Sequence, residues 1–105
     1  MRAQCYNDRA MTLRINDTGY SLPDLARRLG YRPLGYTPEG ELNCVRPLGG
    51  PYPRFHIYAT SDKKVLTLNL HLDQKRPSYE GTRAHGGDYE SDTVRREADR
   101  ILDTL

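Results

Sequence analysis

The sequence predicts an α+β domain in which a small antiparallel sheet of two hairpins is covered on one face by two helices. Leu66, Leu68, Leu70 and Leu72 alternate with polar neighbours, and Phe55 to Ala59 alternate in the same way, which is the period-2 pattern of half-buried strands. Leu22, Leu25, Ala26 and Leu29 form one apolar stripe at helical spacing, and Val94, Ala98, Ile101, Leu102 and Leu105 form another. Helices with one apolar face must cover something, and the leucine face of the sheet is the available partner.

Residues 1–10 are polar and unpatterned and read as a frayed end. Met11, Leu13 and Ile15 alternate with Thr12, Arg14 and Asn16, so a short strand is expected there, ended by Asp17-Thr18-Gly19. Ser21 and Asp24 have the spacing of a capping box, Pro23 suits a first turn, and Gly30 is the natural stop of the first helix. Arg27 and Arg28 in its last turn complement the helix dipole.

Residues 33–36 and 42–46 flank Thr37-Pro38-Glu39-Gly40, a turn sequence that joins them as a hairpin. The run from Pro47 to Pro53 is a connector into the main hairpin, since its prolines and glycines hold no regular structure. A loop of two or four residues centred in Ser61-Asp62-Lys63-Lys64 sets Ile57 opposite Leu68 and Phe55 opposite Leu70. The other face then receives His56 opposite Asn69, Tyr58 opposite Thr67, and Arg54 opposite His71. A shift by one residue would expose four leucines, so the even register is preferred. After Asp73 an aperiodic loop is expected over residues 74–90, followed by a helix from about Thr93 whose charged outer face, Arg95, Arg96, Glu97, Asp99, Arg100 and Asp103, reads as solvated.

With 105 residues the chain is expected to be one domain with a thin core, because it is 36% hydrophobic, 29% charged and without tryptophan. A net charge of +2 is too balanced for wholesale binding to a phosphate backbone. The first residues lack the apolar run of a signal peptide, and no stretch approaches the ~18 apolar residues of a membrane span, so a cytoplasmic protein without a membrane partner is expected. Cys5 and Cys44 stand in unlike contexts and read as two reduced thiols, with Cys44 buried between Leu42 and Val45.

All three histidines fall between Arg54 and Tyr89, and three readings of them stay open. In the first, a divalent metal such as Zn²⁺ is held by His56 and His71 from the sheet, with Asp73, His85 or Asp88 completing the shell and Gly86-Gly87 helping to aim His85. In the second, no metal is needed: of His56 and His71 one acts as general base and the other as general acid, Lys75 or Arg54 holds an anionic transition state, and the substrate is RNA or a phosphorylated small molecule. In the third, the chain binds RNA or protein without catalysis, through Arg54, Tyr58, Asn69, Lys75, Arg76 and Tyr79. The plain alternative is that these are solvated or half-buried side chains of an ordinary sheet.

The strings LNCVRPL, RFHIY, NLHLDQKRPSYEG and AHGGDY, spread from Leu42 to Tyr89, resemble those of a family of small bacterial proteins that has no assigned activity. LARRLGY and FHIY also resemble segments of HicA-type RNA interferases, which have a helix, three strands and a helix in a double-stranded-RNA-binding-like fold. That likeness implies a catalytic role for His56. The chain departs from it in having Arg54-Phe55 in place of a Gly-Ser pair, an extra hairpin and a long loop.

Overall fold

The computed structural model describes the backbone of residues 3–6, 10–73 and 83–105, and the side chains of residues 10–73 and 92–105. The elements run β1 (Ala3–Tyr6), β2 (Ala10–Asn16), α1 (Leu22–Arg28), β3 (Arg32–Tyr36), β4 (Leu42–Pro47), β5 (Arg54–Asp62), β6 (Val65–Asp73) and α2 (Arg83–Thr104). The strands form one antiparallel sheet in the order β1-β2-β6-β5-β4-β3. The α+β class is as the sequence predicts, but the two expected hairpins are parts of one four-strand meander, β3 to β6. The β4–β5 pairing, from Leu42↔Ala59 to Pro47↔Arg54, joins them. The N-terminal strands add to the far side, with β2 against β6 and β1 outside it.

Four strands rather than three therefore lie between the helices. One face of the sheet carries Met11, Leu13, Leu42, Cys44, Phe55, Ile57, Ala59, Leu66, Leu68, Leu70 and Leu72, all buried. Leu25, Ala26 and Leu29 of the first helical segment, and Val94, Ala98 and Ile101 of α2, close over it. Each fully buried leucine contributes about 2 kcal/mol of transfer free energy, so this face fixes the register.

Helix α1 begins as its sequence predicts, with Ser21 Oγ accepting from the Asp24 backbone N–H at 3.3 Å. Its end is a Schellman arrangement: Gly30 at φ +86° donates to Arg27 and the Tyr31 N–H reaches back to Ala26 at 2.8 Å. Tyr31 is thereby turned into the interior, where it is buried.

Helix α2 starts at Arg83, well before the expected Thr93. The stretch reads as a loop in sequence because it lacks apolar periodicity, and its two adjacent glycines are each unfavourable in a helix by about 1 kcal/mol. The backbone at His85, Gly86, Gly87 and Asp88 is helical. A second correction concerns the charged face of α2, because Glu97 is buried. It accepts from Tyr31 Oη at 2.6 Å, from Arg100 Nε and Nη2 at 2.8 Å each, and from Arg46 Nη1 at 3.3 Å. Arg100 Nη2 also bonds the Leu29 carbonyl at 2.6 Å. These two residues are a polar joint between α2, the end of α1 and β4, where a stripe drawn from hydropathy alone would leave them in water.

The β5–β6 turn is Lys63-Lys64, both at positive φ (+52° and +68°), as a two-residue type I′ connection requires. It lies further along the chain than the centre of the polar tetrad. The pairing therefore slips by two residues from the expected one, to Ile57↔Leu70 and Phe55↔Leu72. An even slip leaves every side chain on its predicted face.

Candidate functional site: a histidine–carboxylate cluster on the polar face

The face of β5 and β6 turned away from the leucine core brings together Arg54, His56, Tyr58, Asn69, His71 and Asp73. His56 stands opposite His71, Tyr58 opposite Asn69, and Arg54 opposite Asp73. These pairs replace the expected His56/Asn69, Tyr58/Thr67 and Arg54/His71, so the two imidazoles are direct cross-strand partners rather than diagonal ones. Their ring centroids are 6.4 Å apart at 63°.

His56 is buried, against the expectation of an open position, but it is not stranded among aliphatic groups. Its Nδ1–H donates to Asp73 Oδ2 at 2.9 Å, and its Nε2 meets Oδ1 of Asn43, which β4 supplies. A carboxylate can only accept, so the Asp73 contact places a proton on Nδ1. The Asn43 amide serves Nε2 as acceptor, or as donor when turned over. Either way both ring nitrogens of His56 are engaged. Asp73 Oδ2 is also 3.5 Å from Arg54 Nε, an ion pair without hydrogen-bond alignment, and the Arg54 guanidinium lies 4.8 Å from the centroid of the Tyr52 ring.

His71 is only half buried, and among the described residues its ring nitrogens form no hydrogen bond. Burial holds its imidazole below the ordinary histidine value, and the neighbouring His56 adds to the effect while the Asp73 carboxylate opposes it. His71 is consequently mostly neutral at pH 7, and no described residue bonds its lone pair. Tyr58 packs edge-on against it at 5.8 Å and leans on His56 at 4.6 Å. The hydroxyl of Thr12 on β2 donates to Asn69 Oδ1 at 2.7 Å, which ties the polar faces of β2 and β6 together.

Lys75, Arg76 and Tyr79 lie outside the described residues, as do the side chains of His85 and Asp88. Among the described residues no group of three or more His, Cys, Asp or Glu is placed to hold a metal ion. Asn43 was not among the residues the sequence singled out. Its position between Leu42 and Cys44, both facing the leucine side, is the signal that puts it on the polar face once β4 is paired with β5. Cys44 is buried as expected, and burial pushes its thiol up to about 12.

Fold and cluster together define a sheet domain with a half-buried histidine–carboxylate site on its polar face. Comparison with known protein families, curated proteins and solved structures gives no match. Among the described residues no helix is long and apolar enough to cross a membrane.

Proposed function

We propose that the polar face cleaves an RNA phosphodiester through its own 2′-hydroxyl, with His71 as general base. One observation carries the choice: His56 spends both ring nitrogens on Asp73 and Asn43, while among the described residues nothing bonds the ring nitrogens of His71 beside it. A metal at this site would have to displace one of the partners of His56. A base needs nothing displaced.

In this reading His71 takes the proton of the 2′-hydroxyl as its oxygen attacks phosphorus. The bond to the 5′-oxygen breaks, a 2′,3′-cyclic phosphate forms, and the departing oxygen takes its proton from solvent water. Asp73 and Asn43 hold the His56 ring from both sides, and His56 in turn stands directly opposite the base His71. Arg54, anchored by Asp73 and Tyr52, meets the charge that builds on the phosphoryl oxygens.

The test is incubation of chelator-treated protein with a fluorescent oligoribonucleotide and its 2′-deoxy counterpart. Cleavage of the ribose form alone, to a cyclic phosphate, lost in His71→Ala and indifferent to chelator, supports the proposal. Absence of cleavage, or activity that needs added Zn²⁺ or another divalent ion, overturns it, and the latter would favour a metal held by His71 and Asp73.

A further inference from the structure

We infer that the site takes a polymer rather than a mononucleotide, and that Arg14 is a specificity-determining residue that binds a phosphate remote from the one at His71. This rests on the phosphodiester reading above and names the form of its substrate. The polar face does not stop at the histidines. Going along β6 from Asp73, the residues on that side are His71, Asn69 and Thr67. Their neighbours are Tyr58 and Thr60 on β5, and Thr12 and Arg14 on β2.

Thr12, Tyr58, Thr60, Thr67, Asn69 and His71 are all half exposed, and Arg14, opposite Thr67, is exposed. The bond from Thr12 to Asn69 puts Thr12 on this side of the sheet, and the period of two along β2 puts Arg14 there with it.

The strip has a cation at each end and neutral hydrogen-bonding groups between. Arg54 lies level with Asp73 and Arg14 level with Thr67, six residues along the strand, or about 20 Å at the rise of a β-strand. The one carboxylate at the near end, Asp73, is matched by Arg54 and His56. Asp62 lies beyond Arg14, in the last pair before the Lys63-Lys64 turn, and marks where the strip ends. Arg14 makes no ion pair among the described residues.

Phosphates along a stacked strand recur at about 3.4 Å, so a span of this length covers several of them, and a single nucleotide at His71 cannot reach Arg14. Tyr58 lies between the two cations, where a base can stack on it. Backbone phosphates and a stacked ring recognise a single strand without reading its sequence.

The experiment uses the catalytically silent His71→Ala protein and fluorescence anisotropy with oligouridylates, from the dinucleotide upward. Affinity is expected to rise with length until the strand spans the strip. Arg14→Ala should weaken binding of the long strands about 10-fold and lower the salt slope by about one, leave the dinucleotide unchanged, and be partly rescued by Arg14→Lys. Affinity that does not change with length, or long strands indifferent to Arg14→Ala in protein of unchanged circular dichroism, overturns the inference. Wild-type cleavage without length dependence would leave the His71 reading standing and remove this one. Length- and Arg14-dependent binding without cleavage would do the reverse.

Discussion

His56 faces His71 directly across the β5–β6 ladder, and among the described residues only His56 has hydrogen-bonding partners at both ring nitrogens. Two identical side chains in adjacent positions are thus given different tasks by their neighbours.

The depressed pKa of His71 makes stability depend on pH. Because the folded value lies below the unfolded one, near 6.5, the unfolded chain binds more protons in the interval between them. Stability contributed by neutral His71 is complete above the unfolded value and is lost as pH falls through the folded value. Denaturation midpoints measured from pH 7 downward should decline through that interval in wild type, and the His71-dependent part of the decline should vanish in His71→Asn.

Replacing Asp73 by Asn removes the acceptor of the His56 Nδ1–H and the carboxylate that opposes the lowering of His71. A kcat lower by up to about 100-fold is expected, because His56 loses its hold beside the base. The acid limb of the pH–rate profile should move to lower pH as well. An unchanged limb would mean that another group is the base.

Glu97→Ala leaves Tyr31, Arg46 and Arg100 without their common acceptor inside the helix–sheet joint. Removing one member of a buried charged network costs on the order of 3 kcal/mol, and Glu97→Gln, which keeps an acceptor oxygen, should cost less. Urea unfolding of both variants checks the order.

Lys63 and Lys64 occupy left-handed backbone at a cost of about 1 to 2 kcal/mol per residue, where Asn-Gly is the favoured pair. The double substitution Lys63→Asn, Lys64→Gly should raise stability by on the order of 1 kcal/mol in the same unfolding assay. A loss of stability would show that the lysine side chains support the turn.

Cys44 lies under the helices with its Sγ 3.7 Å from the Ile57 carbonyl oxygen, and its thiol is pushed up to about 12. Native protein at pH 8 should therefore resist iodoacetamide at this residue, and denaturant should open it to modification. Peptide mapping before and after unfolding makes the comparison.

Patterns that repeat were legible in the sequence. The leucines of β6 and the stripe of α1 announced a two-layer domain, and they put His56 and His71 on one side whatever the turn, since an even slip preserves the face. What depends on tertiary pairing was not legible. Asn43 enters the cluster only through the β4–β5 ladder, and nothing near it in sequence points to a histidine. Glu97 is indistinguishable from its charged neighbours in one dimension, and the donors that hold it inside come together only in the fold: Tyr31, turned inward after Gly30, Arg46 of β4, and Arg100. The position of the Lys63-Lys64 turn was hidden because two lysines carry no preference for positive φ.

The pairing of β2 with β6 has a consequence for how the chain can be cut. Met11, Leu13 and Ile15 align with Leu70, Leu68 and Leu66, so the most apolar strand borrows one of its two flanks from the other end of the molecule. A fragment beginning after Asn16 would leave β6 with a full row of bare amides and carbonyls beside its leucines. Such a rim is a template for stacking one molecule on the next, and the shortened protein should come out of solution as fibrous or amorphous aggregate.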